Sequence, residues 1–521
     1  MVAVAIAVIA SELTAAAVSP SLSPVTAVGS TVVDALPPGI KDWAIEQFGT
    51  ADKSVFLISM VLIIAVVAAA AGILEHRWRR AGAAVVLLFG FAGILAVAGR
   101  PQASTMAFAA PVVALVLGVM LVSVLIDRLA AWQPRTLDNA HSVRPGPVAR
   151  RRFLVGVGAG AAVAAVAGAA AAGVRNSQSL VAQSRSRISL PPPRSTTEPG
   201  DEQITGSAGG PGDSGAAELP AGADLGVDGV APLVTPNDNY YRIDTALVVP
   251  VVDPDTWRLR VTGMVEREVE LTFTELLAMP LKESYITLAC VSNVVGGDLI
   301  GNAKWLGWPV RELLAMAGVR DGADMVLSRS VDGFTASTPL EAMTDNRDSL
   351  IAVGMNGETL PVEHGFPVRL VVPGLYGFVS ATKWVTELKV TRYDDDVAYW
   401  STRGWSDRGP VKTSSRIDVP RGSSTVPGGT VVVGGYAWAQ HRGIRAVEVR
   451  MDSGRWQKAQ LGAEISRDTW RQFSAEFELE PGSHTAQVRA IDSTGDVQVD
   501  QFSQPAPDGA TGLHTVTFTV S

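Results

Sequence analysis

Four uninterrupted apolar runs constrain this chain more than any other feature. They are Val55–Leu74, Ala81–Gly99, Met106–Ile126 and Phe153–Val174, and none carries a charged side chain. About 20 apolar residues cross a bilayer as a helix, and a chain with several such runs has no soluble fold that buries them all. A further run, Met1 to about Val18, contains Glu12 and is counted here as spanning. The expectation is a transmembrane region of about five helices over residues 1–174.

The arginines set an orientation. Arg77, Arg79 and Arg80 follow the run Val55–Leu74, and Arg128 and Arg150–Arg152 follow Met106–Ile126, whereas Pro20 to Lys53 carries little positive charge. Basic loops stay in the cytoplasm, so the C-terminal part is expected outside it, on a multi-pass cell-membrane protein. Arg150-Arg151-Arg152-Phe153-Leu154 ahead of a Gly/Ala-rich run also reads as a twin-arginine export signal, with a plain positive-inside flank as the alternative.

From residue 175 to 230 the chain turns to Ser, Pro, Gly and Gln, including Pro191–Pro193 and Gly209–Gly212. Such a stretch buries too little apolar surface to order itself and is expected to be a disordered linker.

Beyond it the sequence reads as soluble protein in two parts. Over 231–405, strand-like Trp257–Gly263, Tyr285–Val291 and Val368–Val372 mix with helical Thr274–Met279 and Val310–Met316, giving an α+β domain. No G-x-G-x-x-G follows a strand, so a nicotinamide or flavin fold is not supported. Over 411–521, Thr430–Val433, Ala446–Met451, Trp470–Leu479, His484–Ile491 and His514–Val520 alternate with period two between Gly-containing turns. That pattern predicts an immunoglobulin-like β-sandwich.

Composition narrows the chemistry. The formal charge of −8 comes without a basic cluster in the soluble half, which argues against a nucleic-acid partner. One cysteine excludes a disulfide framework and an iron–sulfur cluster within the chain, and the six histidines do not pair at metal-ligand spacing.

That cysteine lies in Thr287-Leu288-Ala289-Cys290-Val291-Ser292-Asn293. A second string runs Asn356-Gly357, then His364-Gly365-Phe366-Pro367-Val368-Arg369, Val371-Val372-Pro373-Gly374 and Ala381-Thr382-Lys383-Trp384. Cys290 alone reads as a small buried hydrophobe, and His364 alone as a structural hydrogen-bonding side chain. Together the segments closely resemble the molybdopterin domain of the sulfite-oxidase family, over about residues 235–400. Gly435-Tyr436-Ala437-Trp438 is similar to the opening of that family's dimerisation domain.

The resemblance implies a molybdenum-molybdopterin (Mo-MPT) cofactor and two-electron oxygen-atom transfer. Cys290 would be the thiolate ligand to the metal, which suits a thiophilic centre. His364, Arg369 and Ser380-Ala381-Thr382-Lys383 would hold the pterin phosphate, which needs charge-assisted donors. Asp332 would hydrogen-bond the pterin. Asn239-Tyr240-Tyr241-Arg242 matches a cofactor-lining segment, with Asn239, Tyr241 and Arg242 as binding residues and Arg242 near the metal. A homodimer through the C-terminal domain is also implied. No haem-attachment motif is present, so electrons are expected to pass to a separate carrier, a cytochrome or a quinone.

The sequence departs from the family where substrate binds. Val294 and Val295 stand in place of two arginines after the cysteine loop, and Trp405 in place of a tyrosine. Loss of a cation and a phenol weakens the case for a small oxyanion and leaves a neutral sulfoxide or S-oxide as the alternative substrate. A non-catalytic membrane-tethered adhesion module is the competing class, but it leaves the Cys290 and His364 strings without a purpose.

Overall fold

The computed structural model describes residues 2–18, 22–37, 40, 47–48, 52–100, 103, 105–132, 185–194 and 218–521. It divides into two compact units: Met1–Gln183 with Thr245–Val251, and Ser184–Asp244 with Val252–Ser521.

The first unit is helical: α1 (Val2–Val18), α2 (Pro24–Ala35), α3 (Asp52–Arg77), α4 (Ala81–Ala98) and α5 (Ala109–Trp132). Three stretches are long and apolar enough to cross a membrane, Val55–Arg77, Ala81–Ala98 and Thr105–Asp127. The expectation for the N-terminal run needs correction. At 17 residues α1 falls among the shorter apolar helices, at the lower limit for crossing a bilayer. The expected span at Phe153–Val174 lies outside the described residues.

Two acidic residues in apolar surroundings have structural partners. Glu12 accepts the Val25 N–H at the start of α2, 3.3 Å away. Glu75 accepts from Arg80 and Ala83 at 3.0 and 2.9 Å, and so caps α4. Each carboxylate reaches the N-terminal end of the following helix, where unpaired N–H groups favour an anion. Small residues permit close packing: a Cβ on Gly82 would lie 2.0 Å from Ala71 O, and one on Gly118 2.9 Å from Val86. Residues 245–251 belong to this unit, with Lys53 Nζ donating to Ala246 O at 2.7 Å.

The second unit begins with strands β1 (Arg258–Gly263), β2 (Val269–Thr272), β3 (Lys282–Ala289), β4 (Ile300–Pro309), β5 (Met325–Ser330), β6 (Thr335–Pro339), β7 (Leu350–Met355), β8 (Glu358–Thr359), β9 (Arg369–Val371) and β10 (Val385–Thr391). One sheet has the order β2-β1-β10-β5-β6; the other is β3-β4-β7-β8, with β9 on β7. Short helices intervene: α6 (Phe273–Ala278), α7 (Val310–Ala317), α8 (Glu341–Thr344) and α9 (Gly377–Ser380). α6 starts where it does because Thr272 and Glu275 exchange side-chain-to-backbone hydrogen bonds as a capping box.

The C-terminal strands are β11 (Ser414–Val419), β12 (Thr425–Val426), β13 (Gly429–Trp438), β14 (Ile444–Met451), β15 (Gln457–Lys458), β16 (Gln460–Leu461), β17 (Arg471–Leu479), β18 (Gly482–Asp492) and β19 (Thr515–Val520). They form the sheets β11-β13-β17-β16 and β12-β19-β18-β14-β15. The inward residues of both sheets, among them Val433, Phe473, Val449, Val488 and Phe518, close one apolar core.

The expected linker needs correction at both ends. Arg185 donates to Thr359 O, and the Arg194 N–H donates to Leu281 O. Ala223 is buried, Leu225 N–H donates to Gln472, and Ala231 N–H donates to Asp418. These residues order because the folded domains offer backbone and side-chain partners that composition does not reveal.

Candidate active site

Cys290 follows directly on β3, where its N–H donates to Leu299 O across the β3–β4 pair at 2.9 Å. The residue is only 6% exposed and its Sγ lies 3.1 Å from Ser292 Oγ. Burial pushes the thiol up, although hydrogen bonding by Ser292 and Val291 opposes it. A thiolate here would be favoured by a nearby cation, and a coordinated metal would supply one.

A layer of aromatic rings leads away from the cysteine. Tyr240 is buried, donates to Gly301 O at 2.9 Å, and stacks on Tyr241 at 5.3 Å. Gly301 has to be glycine, since a Cβ there would lie 2.7 Å from the Tyr240 ring. Burial, together with the charges of Tyr240 and Cys290, pushes the Tyr241 hydroxyl well above its ordinary value. His364 meets Tyr240 edge-on at 5.5 Å, and its Nε2 lies 3.1 Å from Asn237 O, so Nε2 carries the hydrogen. Burial, with Arg369 adding to it, lowers His364 to about 4, so the ring is neutral near pH 7.

Arg369 is the most unusual group. Buried on β9, it donates to Leu370 O, His364 O and Ala381 O at 3.3, 3.2 and 3.4 Å, with its guanidinium 4.9 Å over the Trp305 ring. Among the described residues its hydrogen-bond acceptors are all backbone carbonyls. A buried cation left without an anion is costly, and a bound phosphate would offset that cost. Gly365, with φ +113°, makes the approach possible, since a Cβ there would stand 2.9 Å from Arg369 Cβ and 3.3 Å from Lys383 Cα.

Lys383 is also buried. Its Nζ donates to Asp244 Oδ2 at 2.7 Å and Glu363 O at 2.9 Å. Burial lowers Lys383 to about 8, and Asp244 only partly reverses the effect. Arg242 Nε donates to the same Asp244 oxygen at 2.9 Å while its side chain stays 38% exposed, which puts Arg242 at the rim. Asp332 accepts the Phe334 N–H at 3.2 Å, and burial raises its carboxyl despite hydrogen bonds from Ser330 and Phe334. The residues present thus fit a phosphate-ended, thiolate-ligated group. They provide a buried sulfur and buried cationic donors, with the rings of Tyr241 and His364 both packed on Tyr240.

Three expected residues have other duties in the structure. Asn239 is exposed and only its N–H is bonded, within a short 3₁₀ turn. Asn237 instead supplies the contacts, accepting from His364 and from Asn356 and donating to Glu358. Ser380 spends its hydroxyl on Tyr376 O and Leu375 O, and Thr382 on Ser328. Those hydroxyls shape the turn at α9, whereas Ala381 contributes its carbonyl to Arg369.

Asn237, Asp244 and Trp305 were not anticipated as site residues, and Tyr240 and Asn356 were named only as parts of the matching strings. One had a signal: Asn356-Gly357 is the dipeptide of a tight β7–β8 hairpin, both residues at positive φ. Its side chain accepts from Lys304 N–H and donates to Thr235 O and Asn237 Oδ1.

Residues 246–400 match the family described as oxidoreductase molybdopterin binding domain. The chain is 31% identical to mitochondrial sulfite oxidase of Rattus norvegicus, in a match covering 51% of this chain and 57% of that protein. It is 30% identical to sulfite oxidase of Gallus gallus, covering 52% and 69%. An uncharacterized oxidoreductase YuiH of Bacillus subtilis is 33% identical over 35% of this chain and 91% of its own. The chain thus spans little more than half the length of the mitochondrial relatives. Among solved structures, the sulfane dehydrogenase SoxCD from Paracoccus pantotrophus aligns with 25% identity and a TM-score of 0.47, covering 55% of this chain and 82% of that one.

Proposed function

This chain belongs to the sulfite-oxidase family and is a molybdopterin-dependent oxidoreductase, and from that premise we propose a two-electron oxygen-atom transfer at a molybdenum centre ligated by Cys290. The observation that carries the reading is the pairing of a buried thiol at the end of β3 with a buried Arg369 whose acceptors, among the described residues, are all carbonyls. When bound, the Mo-MPT group supplies the redox couple and the place of oxygen exchange. The protein's residues do the holding. Cys290 binds the metal, and Arg369, Lys383 and neutral His364 hold the phosphate end. Tyr241 and Asp332 border the pterin, with Asn239 on the exposed turn before Tyr240. Ser380, Ala381 and Thr382 fix the turn that presents Lys383. Arg242, at the rim, is placed to draw in a polar substrate.

Substrate specificity leans away from sulfite. Val294 is 53% exposed in the loop after Cys290, where a cation would favour a dianion. Trp405 and Phe378 pack on the cluster that contains Ala289 and Val291, the neighbours of Cys290, with ring centroids 6.1 Å apart, and Trp400 adds a third ring 6.3 Å from Trp405. An apolar aromatic wall beside the ligand cysteine suits a neutral organic S-oxide better than an oxyanion.

The three apolar helices anchor the enzyme in the cell membrane with the catalytic part extracytoplasmic, and electrons pass to a separate cytochrome or quinone. The C-terminal sandwich is read as immunoglobulin-like and as the surface of a homodimer. Metal and pterin analysis of the purified full chain tests the proposal. About one molybdenum and one pterin per chain are expected, with reduction of an aryl methyl sulfoxide by an artificial carrier. Protein assembled with the cofactor machinery yet free of both would refute it.

A further inference from the structure

β3 is the edge strand of its sheet, so the outward N–H and C=O of Thr287, three residues before Cys290, have no strand partner. The C-terminal sandwich supplies them. The Thr287 N–H donates to Asp468 O at 3.0 Å, and Gln440 Nε2 donates to Thr287 O at 3.1 Å. The Trp470 N–H donates to Thr287 Oγ1 at 2.8 Å, and that hydroxyl donates to Asn302 Oδ1 on β4 at 3.1 Å. Thr287, Asn302, Gln440 and Trp470 are all buried, so each of these groups depends on its partner.

The same knot reaches the segment that leads into Tyr240 and Tyr241. Asn302 Nδ2 and Trp470 Nε1 both donate to Leu233 O, at 3.0 and 2.9 Å. Thr235 N–H donates to Asn302 O at 2.8 Å, and Asn302 N–H donates to Thr235 Oγ1 at 3.1 Å. Leu233 and Thr235 lead directly into Asn237, Tyr240, Tyr241 and Arg242.

We propose that Thr287 is a positioning residue for the metal-binding sulfur, the point at which the C-terminal sandwich, through Gln440, Asp468 and Trp470, fixes the end of β3 and the place of Cys290. The proposal rests on the reading that Cys290 ligates molybdenum. Along a strand a displacement at one residue is carried to the next few, and Cys290 is held beyond it by the Leu299 rung and by the Asn293 N–H on its own carbonyl. The C-terminal domain is thus part of the active-site scaffold, with Thr287 as its hold on β3.

Cys290 is the chain's sole cysteine, so a thiol reagent such as dithionitrobenzoate reports on it alone. Thr287→Val is close to isosteric and leaves the Trp470 N–H and Asn302 Oδ1 unpaired. In the cofactor-free full chain, labelling of Cys290 should accelerate about tenfold or more. In the loaded enzyme the thiolate-to-metal absorption should shift, and Thr287→Ser should restore both readouts. Val449→Ala, which hollows the sandwich core without touching Thr287, provides a control of matched stability loss and should leave both at wild-type values. The proposal is overturned if Thr287→Val labels at the wild-type rate, if Val449→Ala accelerates labelling equally, or if Thr287→Ser fails to rescue. Loaded wild-type protein lacking any thiolate-to-metal band refutes Cys290 ligation, and the positioning role falls with it. An accelerated Thr287→Val label in that case still shows the brace, which separates the two failures.

Discussion

Replacing Arg369 with Met removes the buried guanidinium while keeping an unbranched side chain over Trp305. Two effects oppose each other in the cofactor-free protein. Leu370, His364 and Ala381 carbonyls lose a donor, at distances of 3.2 to 3.4 Å, while the desolvated, uncompensated charge disappears. The bonds are long and the charge is costly, so the net change in cofactor-free stability should stay within about 1–2 kcal/mol. The loaded protein loses a charge-assisted contact to phosphate instead, about 1.5–3 kcal/mol, or roughly 10- to 150-fold in cofactor affinity. Denaturant unfolding of the cofactor-free chain and pterin retention after extensive dialysis measure the two halves separately. Undiminished pterin retention, with a cofactor-free stability loss above about 3 kcal/mol, would make Arg369 a structural residue and refute the reasoning.

Three other outcomes follow from the structure. Burial raises the Asp492 carboxyl, but hydrogen bonds from Thr494, Arg442 and Thr413 outweigh it and hold the group at about 2. Its stabilisation is therefore complete above the ordinary value of 3.8 and disappears as pH falls from there toward 2, on the order of 2 kcal/mol; Asp492→Asn should flatten acid unfolding in that window. Sulfite oxidation should be weak or absent, and a turnover comparable with the animal enzymes would restore sulfite as the substrate. A reporter fused after Ser521 should be active only outside the cytoplasm, and Arg151→Lys with Arg152→Lys should trap the domain inside if export is twin-arginine dependent.

The sequence showed most clearly what local periodicity encodes. The alternating runs at Ala446–Met451, Trp470–Leu479 and His484–Ile491 fall on β14, β17 and β18, because one face of each meets a common core. β4 was missed because it is buried along nearly all its length, so Ile300–Pro309 has no polar face to alternate with. At the site, the His364-to-Lys383 string pointed to the proposed phosphate end, since buried cations among glycines and prolines have few other uses. The choice between Asn237 and Asn239 was not legible, because it depends on the turn that points one carbonyl at His364. The anchoring of Thr287 was equally hidden, since Gln440 and Trp470 lie 153 and 183 residues away in sequence.

The central claim is that the Cys290 sulfur binds the metal that performs the reaction. The most direct measurement is turnover of Cys290→Ser with an artificial electron carrier, alongside bound molybdenum and pterin. The substitution is nearly isosteric, and in a purely packing role it would cost about 1–2 kcal/mol through a buried hydroxyl while leaving activity in place. The account predicts abolished turnover in a folded protein that keeps its pterin, because Arg369, Lys383 and His364 hold the other end independently. Full activity in Cys290→Ser would contradict it.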